Sequence, residues 1–319
     1  MRILSIMAWV ATAAWGVFAA VRLGGLEHGW PLRPAMAYTP YVALGVLVPV
    51  GLALVARNWR ASAAALVVAA ALAAAVLPRW VPGDAGSADG PKLRVLSTNL
   101  MGGEGDLTVL RRLIDGHQVD LLSVQELTPE ADAVLTTYFP HRVARPQPGY
   151  SGTGVYSAYP LTRLAGIEPA GAEFEMTGVT VTLPQGSFEL LAAHPMAPVN
   201  ALGSAQAVSD LGKLPRATPH GAVRILAGDF NATLDFAPLR AVIGSGYRDA
   251  ADARGEGLTW TWPNLPNDHA EVGGVSLPPV TIDHVLVDER VAVTGYDVFD
   301  LPGSDHRPVL AELTLPRTL

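Results

Sequence analysis

The chain has 319 residues, a formal net charge of −7 and a mean hydropathy of +0.28, high for a soluble protein. It contains no cysteine, which excludes disulfides and thiolate metal sites. Apolar residues and charges are unevenly distributed. The first 80 residues are almost uncharged apart from Arg2, Arg22, Glu27, Arg33, Arg57, Arg60 and Arg79, whereas residues 92–319 carry 16 Lys and Arg against 26 Asp and Glu, a formal −10. So acidic a unit is a poor candidate for tight nucleic-acid binding, which relies on basic patches, but it is compatible with an enzyme that meets phosphate through a bound cation.

Three apolar stretches open the chain, at residues 3–21, 38–56 and 61–77. Each is near the roughly 17–25 apolar residues that a membrane span needs. A cleaved signal peptide is the alternative for the first stretch, but two more apolar segments follow it. A buried soluble helix is the alternative for the Ala-rich third. Arg57 and Arg60 sit in the short connection between the second and third stretches, which reads as cytoplasmic together with Arg2. Three crossings from an inside N-terminus place the remainder outside the cytoplasm, giving a multi-pass plasma-membrane protein with an extracytoplasmic domain. Residues 81–91 are rich in Pro, Gly, Ser and Asp without periodicity and read as a linker.

From residue 92 the pattern changes to alternating strand and helix signals. Residues 93–99 alternate and run into Gly102-Gly103, as a strand entering a loop does. Helical spacing is expected over 107–115, a strand over 119–127 and a helix over 129–139. Strands are expected at 154–159, 178–183 and 189–194, with a helix at 201–214 and strands at 223–230, 281–287 and 309–315. The mixed order of βα pairs and hairpins predicts an α/β sandwich with mixed sheets.

Polar side chains able to carry chemistry recur at strand ends, where sites tend to form. Asn99 and Glu126 each close an apolar strand. A carboxylate there needs a partner, and a hard cation such as Mg²⁺ takes oxygen ligands of this kind. Asp229 and Asn231 lie two apart in Gly228-Asp229-Phe230-Asn231, so both point to one face of an extended segment. A local Asx turn would account for them equally well. Asp283 lies inside an apolar strand, and Asp305-His306 lies in a Gly/Ser/Pro loop. Were Asp283 to pair with His306, it would raise the imidazole pKa and fix its tautomer, making His306 a candidate general base or phosphate-facing group. His194 ends another strand. His117, His141, His220 and His269 have no such context.

Taken in order, Ser97-Thr98-Asn99-Leu100, Val124-Gln125-Glu126, Ala193-His194, Gly228-Asp229-Phe230-Asn231, Ile282-Asp283-His284-Val285 and Gly303-Ser304-Asp305-His306-Arg307-Pro308 resemble the endonuclease/exonuclease/phosphatase superfamily with its DNase-I-like fold. The resemblance covers nearly all of residues 92–319 and extends to the membrane-anchored bacterial branch. It implies a four-layer α/β sandwich with two packed mixed sheets, here preceded by transmembrane helices, and dependence on Mg²⁺ or Mn²⁺. By position it implies Glu126, Asn99 and Asp305 at the metal, and Asp229 positioning the attacking water. His194 and Asn231 would contact phosphate, with Asp283 and His306 as an Asp–His pair. Some members carry an acidic residue two positions after the first-strand Asn; here that position is Met101.

The sequence therefore predicts a membrane-anchored, metal-dependent hydrolase of a phosphodiester or phosphomonoester. A lipid head group or small phosphoester is favoured over nucleic acid on charge and tethering. An extracytoplasmic nuclease and an inactive membrane-anchored binding module are the alternatives, the latter opposed by the full Asp, Asn and His set. No protein partner is inferable.

Overall fold

The computed structural model describes residues 1–264, 271–272 and 275–319; His269 lies outside the described residues. The N-terminal region is helical: α1 (Arg2–Gly24), α2 (Leu32–Ala35), a 3-10 turn at Met36–Tyr38, α3 (Thr39–Gly45), α4 (Leu47–Val55) and α5 (Trp59–Val76), which tightens into a 3-10 turn at Leu77–Trp80. Three helical segments, Arg2–Gly24, Leu32–Val55 and Trp59–Trp80, are long and apolar enough to cross a membrane by length and composition. Each is longer than its apolar stretch in the sequence. The second starts at Leu32 rather than residue 38, and it is interrupted at Val46. Pro49 accounts for the break, since it has no N–H for the carbonyl four residues back and its ring crowds that carbonyl. Gly25 stops α1 in the left-handed region at φ 62°, and Asn58 caps α5 by accepting from Ala61 N at 3.2 Å. Ala8, Ala53 and Ala61 meet where the helices cross, small residues that let backbones approach.

Residues 81–91 have no regular secondary structure, yet they are fastened along the domain that follows. Val293 N donates to Ala85 O at 2.8 Å, Gly90 N to Leu315 O and Leu315 N to Pro91 O, both at 2.9 Å.

The rest of the chain folds as β1 (Lys92–Asn99), α6 (Leu107–His117), β2 (Leu121–Gln125), α7 (Pro129–Leu135), β3 (His141–Arg145), β4 (Thr153–Ser157), β5 (Leu161–Arg163), β6 (Thr177–Leu183), β7 (Gly186–Ala193), α8 (Ala201–Lys213), β8 (Arg224–Asp229), α9 (Ala237–Ile243), β9 (Tyr247–Asp249), α10 (Ala250–Ala253), the short pair β10 (Glu271–Val272) and β11 (Val275–Ser276), then β12 (Asp283–Asp288), β13 (Ala292–Val298) and β14 (Val309–Thr314). Two six-stranded sheets form, in the orders β13-β14-β1-β2-β4-β3 and β5-β6-β7-β8-β12-β9. Both are mixed: β1–β2 and β7–β8 pair parallel, and the other pairs are antiparallel.

Alternation along each strand builds the layers. Leu93 and Val95 of β1, Ile225 and Ala227 of β8, and Val285 and Val287 of β12 face the other sheet and share one core. Their neighbours face outward. Leu96 and Leu122 pack against Leu110 of α6 and Leu135 of α7, while Leu191, Leu226 and Leu286 pack against Leu211 of α8 and Leu239 of α9. The result is the expected helix–sheet–sheet–helix sandwich. Truncating a fully buried side chain of this kind, such as Leu226→Ala, costs about 2–5 kcal/mol.

The helix expected over 129–139 ends at Leu135. Thr136 and Thr137 bond back through their hydroxyls to Asp132 O and Val134 O, each at 2.8 Å, and Pro140 disfavours helical backbone at Phe139. The strands of the two sheets without a clear sequence pattern are β3, β5, β9 and β13, and these are the four sheet edges. No residue of β3 or β5 is fully buried, β9 is only three residues long, and a register shift between Val293 and Gly295 breaks the alternation of β13.

Candidate active site

The inward-facing rows of the inter-sheet core turn polar at one end. On β1 the row Leu93, Val95, Ser97 reaches Asn99; on β8 Ile225 and Ala227 lead to Asp229. On the antiparallel β12, Val287 and Val285 lead to Asp283, which lies in register with Asp229. His194 follows the row Leu190, Ala192 just beyond β7. Strand period alone therefore brings these four side chains into the seam between the sheets. Gly228 permits the approach of β8 to β7, since a Cβ there would lie 1.9 Å from Ala193 O. Glu126 is the first residue past β2 and Asn231 the second past β8. Both hold positive φ, 55° and 49°, as does Met101 at 49°. Such left-handed, non-glycine backbone costs energy and here turns each chain sharply over the end of the sandwich.

The side chains converge closely. Asn99 Nδ2 donates to Glu126 Oε1 at 3.0 Å and to Asp229 Oδ2 at 3.2 Å, while its Oδ1 accepts from Met101 N at 2.9 Å. Gly102 N donates to Glu126 Oε2 at 2.7 Å, and Asn231 N to Asp229 Oδ1 at 2.8 Å. His306 Nδ1 lies 3.0 and 3.2 Å from the two oxygens of Asp283, forming the expected Asp–His pair. Its Nε2 lies 3.6 Å from Asp229 Oδ2 and 3.9 Å from Asp305 Oδ1. His194 Nε2 lies 3.7 Å from Asp229 Oδ2 and 4.0 Å from Glu126 Oε1. Asn231 points elsewhere, donating through Nδ2 to Pro195 O at 3.1 Å.

Four carboxylates, Glu126, Asp229, Asp283 and Asp305, thus meet with the imidazole of His306. Among the described residues no Lys or Arg pairs with any of them. Burial raises the Glu126 carboxyl against the hydrogen bond from Asn99, and pushes Asp229 up to about 7 against the pull of His306. Burial opposes the charged form of His306, but Asp283, Asp229 and Asp305 outweigh it and hold that imidazole well above the usual histidine range. Burial and the neighbouring His306 lower His194 to about 3, so it is neutral. Access is graded: the Asp305 and Glu126 side chains are 22% and 14% exposed, whereas those of Asn99, His194, Asp229 and Asp283 form a floor exposed by 2% or less.

The endonuclease/exonuclease/phosphatase family model matches residues 96–306, more than half of the chain. The chain belongs to this family. Solved structures share the fold of this family member. TDP2 from D. rerio, complexed with single-strand DNA product, is 18% identical with a TM-score of 0.54, covering 70% of this chain and 98% of that one. Truncated TDP2 from Caenorhabditis elegans is 15% identical with a TM-score of 0.52 and the same coverage, 70% and 98%. An endonuclease/exonuclease/phosphatase from Beutenbergia cavernae is 17% identical with a TM-score of 0.50, covering 70% and 72%. No curated protein is significantly similar.

The oxygen-rich, acid-excess donor set of this family member suits a hard divalent cation. Ligand atoms of Asp229, Asp283 and His306 all lie within 4.8 Å of one another. That trio differs from the sequence expectation of Asn99, Glu126 and Asp305. The trio is the poorer ligand set, because both carboxylate oxygens of Asp283 are already engaged by His306 Nδ1, at 3.0 and 3.2 Å. Glu126 and Asp305, the more exposed carboxylates, fit a cation that also meets substrate. Asn99 fits beside it as the residue fixing Glu126.

Several contributors are not among the site residues expected from the sequence. Trp262 Nε1 donates to Asp305 Oδ2 at 3.0 Å, Ser304 Oγ to Asn99 O at 2.7 Å, and Thr261 Oγ1 accepts from Asp283 N at 3.1 Å. Phe174 stacks on His194 with ring centroids 4.5 Å apart. Ser304 stands beside Asp305-His306 and was within reach of motif reading; Trp262, Thr261 and Phe174 reach the site only through tertiary folding. A second buried pair, His284 Nδ1 with Asp249 Oδ2 at 2.8 Å, also holds Ala232 O at 2.9 Å through Nε2. It steadies the loop that follows Asn231.

Proposed function

We propose that this chain is a membrane-anchored phosphoesterase, dependent on Mg²⁺ or Mn²⁺, that hydrolyses a phosphodiester or phosphomonoester. The observation that carries the reading is the convergence of Asn99, Glu126, His194, Asp229, Asp283, Asp305 and His306, from both sheets, into one acid-rich seam. A cation held by Glu126 and Asp305, with Asn99 orienting Glu126, would neutralise phosphate charge and stabilise the leaving oxygen. Asp229 would orient and deprotonate a water for in-line attack on phosphorus. The Asn231 N–H that it accepts and the nearby His306 hold it in place. His306, kept cationic by Asp283, offers a proton at Nε2 to a phosphoryl oxygen. His194 lies in the floor, neutral, with Nε2 3.7 Å from Asp229 Oδ2 and 4.0 Å from Glu126 Oε1, beyond hydrogen-bond distance of either, and its donation to a phosphoryl oxygen is proposed from position in the family. Asn231 serves here by shaping the turn over Asp229 and bonding Pro195 O, with its phosphate contact proposed from position in the family.

The domain division proposed is a membrane region over residues 1–80, a connecting segment over 81–91 and the catalytic unit over 92–319. Placement outside the cytoplasm gains support from how the arginines are used. Arg2, Arg57 and Arg60 are exposed at the helix ends away from the domain, whereas Arg22 and Arg79 are buried on Asp235 and Arg33 bonds Ser204. The free positive charge thus lies on the far side, as a cytoplasmic face would have it. The formal −10 over residues 92–319 favours a lipid or small phosphoester over nucleic acid. The test is turnover by the full-length chain, with Mn²⁺ or Mg²⁺, on a panel of aryl phosphodiester, aryl phosphomonoester, DNA, RNA and phospholipid. At least one non-nucleic ester should be cleaved and EDTA should stop it; no turnover on any of them, with no binding of either cation, refutes the reading.

A further inference from the structure

An apolar groove of about 860 Å³ runs between the helical region and the back of the loops that carry the site. That volume falls in the range of ligand pockets, roughly 300–1,000 Å³. Its helical wall is made by Ala43 and Leu47 on α3 and α4, and by Ala69, Ala73 and Val76 on α5. Alanines at these positions leave room where larger residues would close the gap. Its domain end is made by Thr233 and Asp235, just after Asn231, and by Thr281, just before Asp283. Two residues of extended chain are about 7 Å, so the groove ends close behind the catalytic strands. Among the described lining residues the one strongly basic side chain, Arg79, is committed to Asp235 through two bonds of 2.7 Å, and the carboxylate of Glu256 accepts from Thr259 Oγ1, so most of the wall is apolar.

We propose that this groove holds one fatty-acyl chain of a membrane phospholipid and presents its phosphoester head to the site, a proposal that rests on the phosphoesterase reading. Three observations commit the groove to that occupant. The walls belong to helical segments long and apolar enough to cross a membrane, and the rim residues Leu44, Leu47 and Leu77 are 68%, 65% and 51% exposed, so in a bilayer the groove opens onto lipid tails. Its length along the helix, from Ala69 to Trp80, is roughly 18 Å at the rises of α and 3-10 helix, against about 15 Å for one leaflet of a bilayer core. Trp80, 67% exposed at its domain end, marks the interfacial level where indole rings settle. An apolar cleft of this size filled with water would be unfavourable, and a single acyl chain from the adjacent leaflet matches its depth.

The test uses the full-length chain with Mn²⁺ and two probes, long-chain phosphatidyl-p-nitrophenol in mixed micelles and bis-p-nitrophenyl phosphate in solution. Ala73→Trp and, independently, Ala69→Phe fill the groove. Each should lower the ratio of kcat/KM for the long-chain ester over the soluble ester at least tenfold; a misfolded variant lowers both rates together and leaves the ratio unchanged. A second readout needs no turnover. After extraction from vesicles of phosphatidylethanolamine and phosphatidylglycerol, native mass spectrometry should show one phospholipid retained by the wild type and none by either variant. An unchanged ratio together with unchanged retention in both variants overturns the proposal, as does retention of detergent alone or of a second chain in place of lipid. Failure of the wild type on both esters with phospholipid still retained refutes phosphodiester hydrolysis, narrows the phosphoesterase reading to monoesters, and leaves the groove assignment standing.

Discussion

Asn99 of β1 and Asp229 of β8 are hydrogen-bonded at 3.2 Å, and the bond closes the seam between the two sheets. The same amide donates to Glu126 at 3.0 Å, so one neutral side chain bridges two carboxylates that burial raises above their ordinary range. Asn99→Ala should lower kcat/KM by about 10–100-fold, the usual effect of losing a residue that orients a metal ligand, and raise the Mn²⁺ concentration needed for half-maximal rate. Steady-state kinetics against Mn²⁺ concentration checks this. An unaltered Mn²⁺ requirement would show that Asn99 does not organise the carboxylates.

The acid excess sets a pH dependence for the metal-free protein. His306 is held well above its ordinary value of 6.5, so above that pH the folded state binds more protons than the unfolded state. Its contribution is full below about 6.5 and is lost as pH rises through the folded value. The upper part of the Asp229 titration, reaching about 7, has the same sign, as does His284, which Asp249 holds up against burial. Below 6.5 the sign is mixed, because His194, lowered to about 3, makes folding less favourable as pH falls. Thermal melts in EDTA should therefore show Tm falling between pH 6.5 and 9, and Asp283→Asn should flatten that slope. Added Mn²⁺ should recover stability most at the alkaline end. A Tm that rises over this range in EDTA would contradict the charge assignment.

Much of this site was legible in the sequence because strand parity does the placing. Asn99, Asp229 and Asp283 continue the inward rows of Val95, Ala227 and Val285, so reading the alternation to the strand end finds them. Sequence could not show that Glu126 enters through a left-handed turn, or that Asn231 spends its amide on Pro195. It also missed the four edge strands, of which β3 and β5 bury no residue fully, β9 is too short to show a period and β13 is broken by a register shift. Trp262 and Phe174 were out of reach because each arrives from a loop with no local chemical signal.

Trp262 offers a test of how Asp305 is held. Its indole N–H is the hydrogen-bond donor to Asp305 Oδ2, leaving Oδ1 toward His306. Trp262→Phe keeps most of the apolar surface and removes the donor. Activity should fall by about 10–100-fold with the far-ultraviolet circular dichroism unchanged. Wild-type activity in this variant would mean that Asp305 is positioned by its backbone alone.

Asp235 joins the helices to the sandwich domain. It is fully buried and receives Arg22 from the end of α1 and both terminal nitrogens of Arg79 from the turn after α5. Asp235→Asn leaves two buried guanidinium groups without a counter-charge, and breaking a buried pair this way costs about 3–5 kcal/mol. The full-length variant should melt well below the wild type in detergent. Because Asp235 is four residues past Asn231, activity should fall with it. Equal melting temperatures would show that the helices and the domain are not held together through this residue.

The most direct measurement is hydrolysis of bis-p-nitrophenyl phosphate by the full-length wild type and Asp229→Asn, each saturated with Mn²⁺, with bound Mn²⁺ quantified in parallel. The site as described predicts that Asp229→Asn retains Mn²⁺ yet loses at least about 10²–10⁴-fold in rate, the scale of a lost general base. A variant that binds Mn²⁺ and hydrolyses at the wild-type rate would contradict the assignment of Asp229, and with it the chemistry proposed for the seam.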